Sequence, residues 1–139
     1  MISAISTTSK YILQPGLVSM HQQSLAWQSA TELWKTELSF FQKLLDSYAP
    51  AFTNTDDKKR IDHFQNLIIY YKGEVIVDLK KKLRDHEASL AEMLKTENES
   101  DVKYFHEHKG LMEAAESFEN VFIEFKSDFY QFIERVLPR

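Results

Sequence analysis

Apolar residues recur along this chain at steps of three, four and seven, the intervals that line one face of an α-helix, and they do so in three long runs. In the first, Trp27, Trp34, Phe41 and Tyr48 return every seven residues, with Leu38 and Leu45 between them. In the second, Ile61, Phe64, Ile68, Tyr71, Val75, Leu79, Leu83, His86, Leu90 and Met93 or Leu94 follow one another at steps of three or four. The third carries Phe105, His108, Met112, Ala115, Phe118, Phe122, Phe125, Phe129, Phe132 or Ile133, and Val136. Each run predicts a helix with one core-facing stripe and a polar opposite face.

Local signals set the expected ends. Pro15-Gly16 punctuates the chain, and Ser19-Met20-His21-Gln22 has the capping-box form: the serine hydroxyl accepts an amide three residues on while the glutamine side chain reaches back. The first helix is therefore expected over about 20–49, with Pro50 as its stop. Residues 1–18 are read as an N-terminal arm and 19–139 as a helical bundle domain. Thr55, followed by Asp56 and Asp57 at the positive end of the helix dipole, is the expected cap of a second helix over about 56–97. Asn98 or Ser100, with Asp101 in the first turn, opens a third over about 100–137, which Pro138 ends.

One stretch, "LIIYYKGEVIV" at 67–77, is rich in β-branched and aromatic residues and could be taken for a strand. Its alternation is poor and helical spacing continues on both sides, so it is read as helix. Gly73 interrupts that helix at a cost of about 1 kcal/mol relative to alanine, which a close helix crossing under a tryptophan would explain. The fold class that follows is all-α, an antiparallel bundle of three long helices joined by short turns. On these bounds the first helix is the short one. The other two would project beyond it and leave a groove for the N-terminal arm, a second copy of the chain or a partner helix.

Composition narrows the chemistry. The chain has 139 residues, enough to bury the core of one domain without staples, and its 43% hydrophobic and 27% charged content is that of a globular protein. With no cysteine, any site must be built from His, Asp, Glu and hydroxyl groups. A net charge of -4 gives no reason to expect a nucleic-acid partner, and "KKKLR" at 80–84 is flanked by acids and reads as a solvated face. No segment is apolar for the roughly 20 residues a membrane span needs, and the N-terminus lacks a signal peptide's apolar run. A soluble, cytoplasmic protein is the expectation.

Familiar catalytic patterns are missing. The three glycines, Gly16, Gly73 and Gly110, are too scattered for a phosphate loop, and no Gly-flanked serine suggests a nucleophile elbow. No histidine follows a carboxylate at the Glu-x-x-His spacing of di-iron bundles, and His-Glu-x-x-His is absent. Pairs such as Glu116 with Glu119, or Glu124 with Asp128, fit an exposed helix face better than an acid/base couple. An enzyme therefore ranks below a binding or interaction protein.

The histidines carry the remaining clue. Residues equidistant from the turn of an antiparallel hairpin lie level, which brings His21, His86 and His108 within about one helical turn, roughly 5 Å of rise, all on or beside the inward stripe. Gly110 would leave space level with His86. Three imidazoles with an open fourth position would suit zinc or iron, with Asp85, Glu87, Glu107 and Glu113 near enough to orient them. The plainer and commoner alternative is a set of structural histidines, each hydrogen-bonded to a carboxylate. His106 points to another helix face, and His63 lies near the opposite end of the bundle.

"DHFQNLIIYYKGEVIVDLKKKLRDHE" with the later "HKGLM" resembles an uncharacterised family of small all-helical bacterial proteins, over about His21 to Leu137. The resemblance implies an intracellular helical protein and assigns no catalytic residue. Two functional expectations stand. The first is a non-enzymatic interaction or scaffold module that forms a homo-oligomer or takes a helical protein partner; the second is a metal-binding bundle using His21, His86 and His108.

Overall fold

The structure, a computed structural model, describes residues 15–96 and 102–138, all of whose regular elements are helical. They are α1 (Pro15–Tyr48), a 3-10 turn (Ala49–Ala51), α2 (Thr55–Tyr70), a π-helical turn (Tyr71–Val75), α3 (Ile76–Lys95) and α4 (Val102–Glu134). The third expected cap, at Asn98 or Ser100 with Asp101, lies outside the described residues, as does the arm up to residue 14. No described helix is long and apolar enough to cross a membrane.

Three local expectations need correction. The first helix already includes Pro15, ahead of the start expected after Ser19. The second is capped by Asn54, one residue before Thr55: its side-chain oxygen accepts the Asp57 amide at 2.8 Å. The "LIIYYKGEVIV" stretch is helical, but it is not α-helix throughout. Buried positions step from Tyr71 to Ile76, five residues, and the Ile76 amide reaches back to the Tyr71 carbonyl, so one extra residue is absorbed by a π turn that keeps the stripe inward. Gly73 sits in that turn, exposed, and a Cβ there would meet nothing within 4 Å, so no close crossing explains it.

The lengths also differ from expectation. Over the described residues α1 has 34 residues and α4 has 33, so α1 is not shorter than α4 there.

The described chain divides into two compact units, each drawing on the same helical runs. One comprises Glu32–Asp78 and the residues from Ser117 onward. Its interior is aromatic. Phe41 lies 5.0 Å from Phe129 between ring centroids and 6.1 Å from Phe125, while Phe64 meets Phe129 edge-on at 5.4 Å and Phe132 at 5.2 Å. Trp34 packs edge-on against Phe118 at 5.1 Å, and Phe52 stacks on Phe132 at 4.2 Å. Such offset and edge contacts add to what burial of the rings already contributes. At its rim Arg135 grips Asp57 through two hydrogen bonds of 2.8 Å, which hold the Asp57 carboxyl below its usual range.

The other unit comprises the described residues up to Thr31 together with Leu79–Glu116. Leu17, Leu90, Met93 and Tyr104 form an apolar cluster there, and the positions next to it on the same stripes hold the polar groups described below.

Candidate functional site

All three of the singled-out histidines lie in this second-described unit, and each is only 5% exposed. Helical spacing puts them inside. On α1 the buried series is Leu17, His21, Ser24; on α3 it is Leu83, His86, Leu90; on α4 it is Tyr104, His108, Leu111. His106 is exposed, and His63 is exposed in the other unit.

His86 and His108 are directly bonded, with His86 Nε2 2.9 Å from His108 Nδ1. The far side of His108 is also engaged, its Nε2 lying 2.7 Å from Gln23 Oε1. The Gln23 oxygen can only accept, so the chain has one polarity for neutral rings. His108 Nε2–H donates to Gln23, and His86 Nε2–H donates to His108 Nδ1. His86 Nδ1 is then left a bare acceptor, and it has no partner. The His86 ring is clamped as well, stacked on Tyr104 at 4.2 Å with the planes 6° apart.

Neutrality follows from burial. Desolvation, with the nearby His108 adding to it, pushes His86 down to about 4, and burial also lowers His108. Tyr104 is pushed up by burial and by the charge of Glu87, so it stays a phenol.

His21 belongs to a different pairing. Its Nδ1 lies 2.5 Å from Glu87 Oε2, the length of an ion pair but off the direction of a ring N–H, so neither ring nitrogen of His21 has an aligned hydrogen bond. Burial raises the Glu87 carboxyl while His21 and then Ser24 pull it down. Ser24, His21 and Glu87 are the residue types of a catalytic triad, and Ser24 is fully buried, outside the pocket walls that include His86 and Tyr104.

Sequence reasoning singled out these three histidines and offered Glu87 among four carboxylates beside them; all three are buried in one unit, and Glu87 lies against His21. It did not anticipate that His86 and His108 would spend nitrogens on each other. Among the described residues, no group of three or more His, Asp or Glu is arranged to hold one metal ion. Tyr104 and Gln23 were missed. Tyr104 lies beside Phe105, which has the same spacing to within one residue, and Gln23 is an exposed residue with no pattern to mark it.

Beside His86 lies an open pocket of about 320 Å³ between α3 and α4, with Ser89, Glu107, Gly110, Leu111 and Ala114 in its wall. Family models, curated proteins and solved structures yield no match to this chain.

Proposed function

We propose that the chain is a cytoplasmic, non-enzymatic interaction module, an antiparallel three-helix bundle that self-associates. The observation that supports this most is an apolar surface on the aromatic unit. Leu33 and Phe40, seven residues apart on α1, and Ile123 and Tyr130, seven apart on α4, are each about half exposed. The two helices are tied between these pairs by Lys126 and Glu37 at 3.2 Å, and Tyr130 lies edge-on to Phe41 at 5.6 Å. Seven-residue spacing is what a packed helix requires of its seam. The central charges neutralise each other, so a second copy related by a two-fold axis would bring apolar onto apolar without opposing like charges.

The test is sedimentation velocity on the wild type and on Phe40→Glu and Ile123→Glu. A dimer that each variant turns into a folded monomer is the expected result. A wild type that stays monomeric across a wide concentration range would sink the reading.

A second reading has support in the other unit: a zinc or iron site using His21, His86 and His108, favoured by three buried imidazoles of which His21 Nε2 and His86 Nδ1 have no partner. It requires the His86–His108 bond to open. Metal content by elemental analysis, on protein purified without chelator and reconstituted with each metal, decides it against His86→Ala.

A further inference from the structure

Gly110 lies within α4, where an interior glycine is less favourable than alanine, and packing gives no reason for it, since a Cβ there would meet nothing within 4 Å. It lies in the wall of the pocket beside His86, where a side chain would project into open space. Pocket size, about 320 Å³, is at the small end of the range for bound organic molecules and suits a single ring.

The wall chemistry restricts the guest. Leu111 and Ala114 supply apolar surface, while Asp85 is already held by Lys81 at 2.7 Å and the wall includes both acids and Lys82, so no single-sign field selects an ion. His86 is the one wall residue that is both deeply buried and left with an unpartnered polar atom. Its polarity is set from behind: the Gln23–His108–His86 chain makes Nδ1 an acceptor and offers it no donor. A buried acceptor without a donor is the feature by which a site prefers a ligand bearing N–H or O–H over an isostere without one.

We propose that this pocket binds a compact, neutral, mostly apolar molecule carrying one hydroxyl or N–H donor, which the buried His86 Nδ1 accepts after a local rearrangement that uncovers it. The site lies in the histidine unit and is independent of the self-association surface.

The experiment uses phenol as probe and anisole, its methyl ether, as the control without a donor. Imidazole 15N spectra of the full chain are recorded through both titrations. In the free protein His86 Nδ1 is expected to show the shift of an unprotonated nitrogen. Phenol should then move it saturably and bind about tenfold or more tighter than anisole. Gly110→Leu, which fills the pocket from an open position, should abolish the phenol response while the protein melts as a folded chain. The proposal is overturned if His86 Nδ1 carries the proton in the free protein, if phenol and anisole behave alike, or if Gly110→Leu responds like the wild type.

Discussion

In the unit built on Glu32–Asp78, the inward stripe is filled by Trp34, Phe41, Phe64, Phe122, Phe125 and Phe129, rings with almost no proton to place. In the unit built on Leu79–Glu116, the corresponding stripe positions hold His86, Tyr104 and His108, faced by His21 and Ser24 of α1. The same helical period therefore carries two kinds of interior. The aromatic one depends on area and ring geometry, whereas the histidine one depends on which nitrogen holds a proton. Among the described residues, the buried polar side-chain atoms without an aligned partner are concentrated in the histidine unit: His21, Ser24, His86, Glu87 and Tyr104 contribute them, against Glu37 alone in the other. Native interiors leave few such atoms, so their gathering in one unit sets its interior apart from the aromatic one.

The hardest way to break the contrast is to remove a ring from the aromatic unit. Phe41 meets Phe122, Phe125, Phe129 and Tyr130, and Phe41→Ala should cost about 3–5 kcal/mol in a denaturant titration. A loss below about 1 kcal/mol would mean that this interior collapses freely around the hole and is not tightly packed.

Acid should act on the histidine unit. The unfolded chain protonates His86 around 6.5 and the folded chain only near 4, so the unfolded state binds the extra proton between those values. Stability is full above pH 6.5 and falls as the pH is lowered towards 4, by on the order of 3 kcal/mol from this group. The lowered His108 acts in the same direction, and the raised Glu87 opposes it. Asp57, held low by Arg135, loses its contribution only at still lower pH, as its folded value is crossed. Chemical denaturation at a series of pH values checks the sign. Stability that rises on acidification from 7 to 5 would contradict a buried neutral His86.

The hydrogen-bond chain itself is tested by a pair of variants. His108→Leu leaves His86 Nε2 without an acceptor and should cost about 1–3 kcal/mol, whereas His86→Leu with His108→Leu removes both members and should cost less than the single change. A double loss equal to the sum of the His108→Leu and His86→Leu single losses would mean that the 2.9 Å contact carries no coupling.

How far all this was legible in the sequence divides along the same line. The stripes were legible because burial follows the 3.6-residue period and Trp34, Leu38, Phe41 and Leu45 repeat it without error. The π turn was hidden because Val75 continues the α-helical count convincingly, and only packing reveals that Ile76 takes its place. At Asn54 the residue type was informative but admitted a neighbouring boundary. The histidines could be brought into one unit from helix heights alone. Their bonding could not, because a step of 22 residues between His86 and His108 says nothing of ring direction, and nothing in the pattern points to Gln23 as the end of the chain.

The smallest effect expected is also the most discriminating. Tyr104 is 1% exposed and stacks flat on His86, so its ring is part of the packing, but its hydroxyl has no aligned partner. Tyr104→Phe keeps the ring and deletes only the buried polar atom. If the hydroxyl is unsatisfied, the change should be neutral or stabilise the protein by up to about 1 kcal/mol, since the unfolded chain alone loses a hydrated group. After burial, the charge of Glu87 also raises the phenol, and Glu87 Oε1 is likewise without a partner. A loss of more than about 1 kcal/mol in a thermal or denaturant melt would show that these two orphans satisfy each other in solution. The histidine unit would then be a closed polar network, and the contrast with the aromatic unit would be one of chemistry alone.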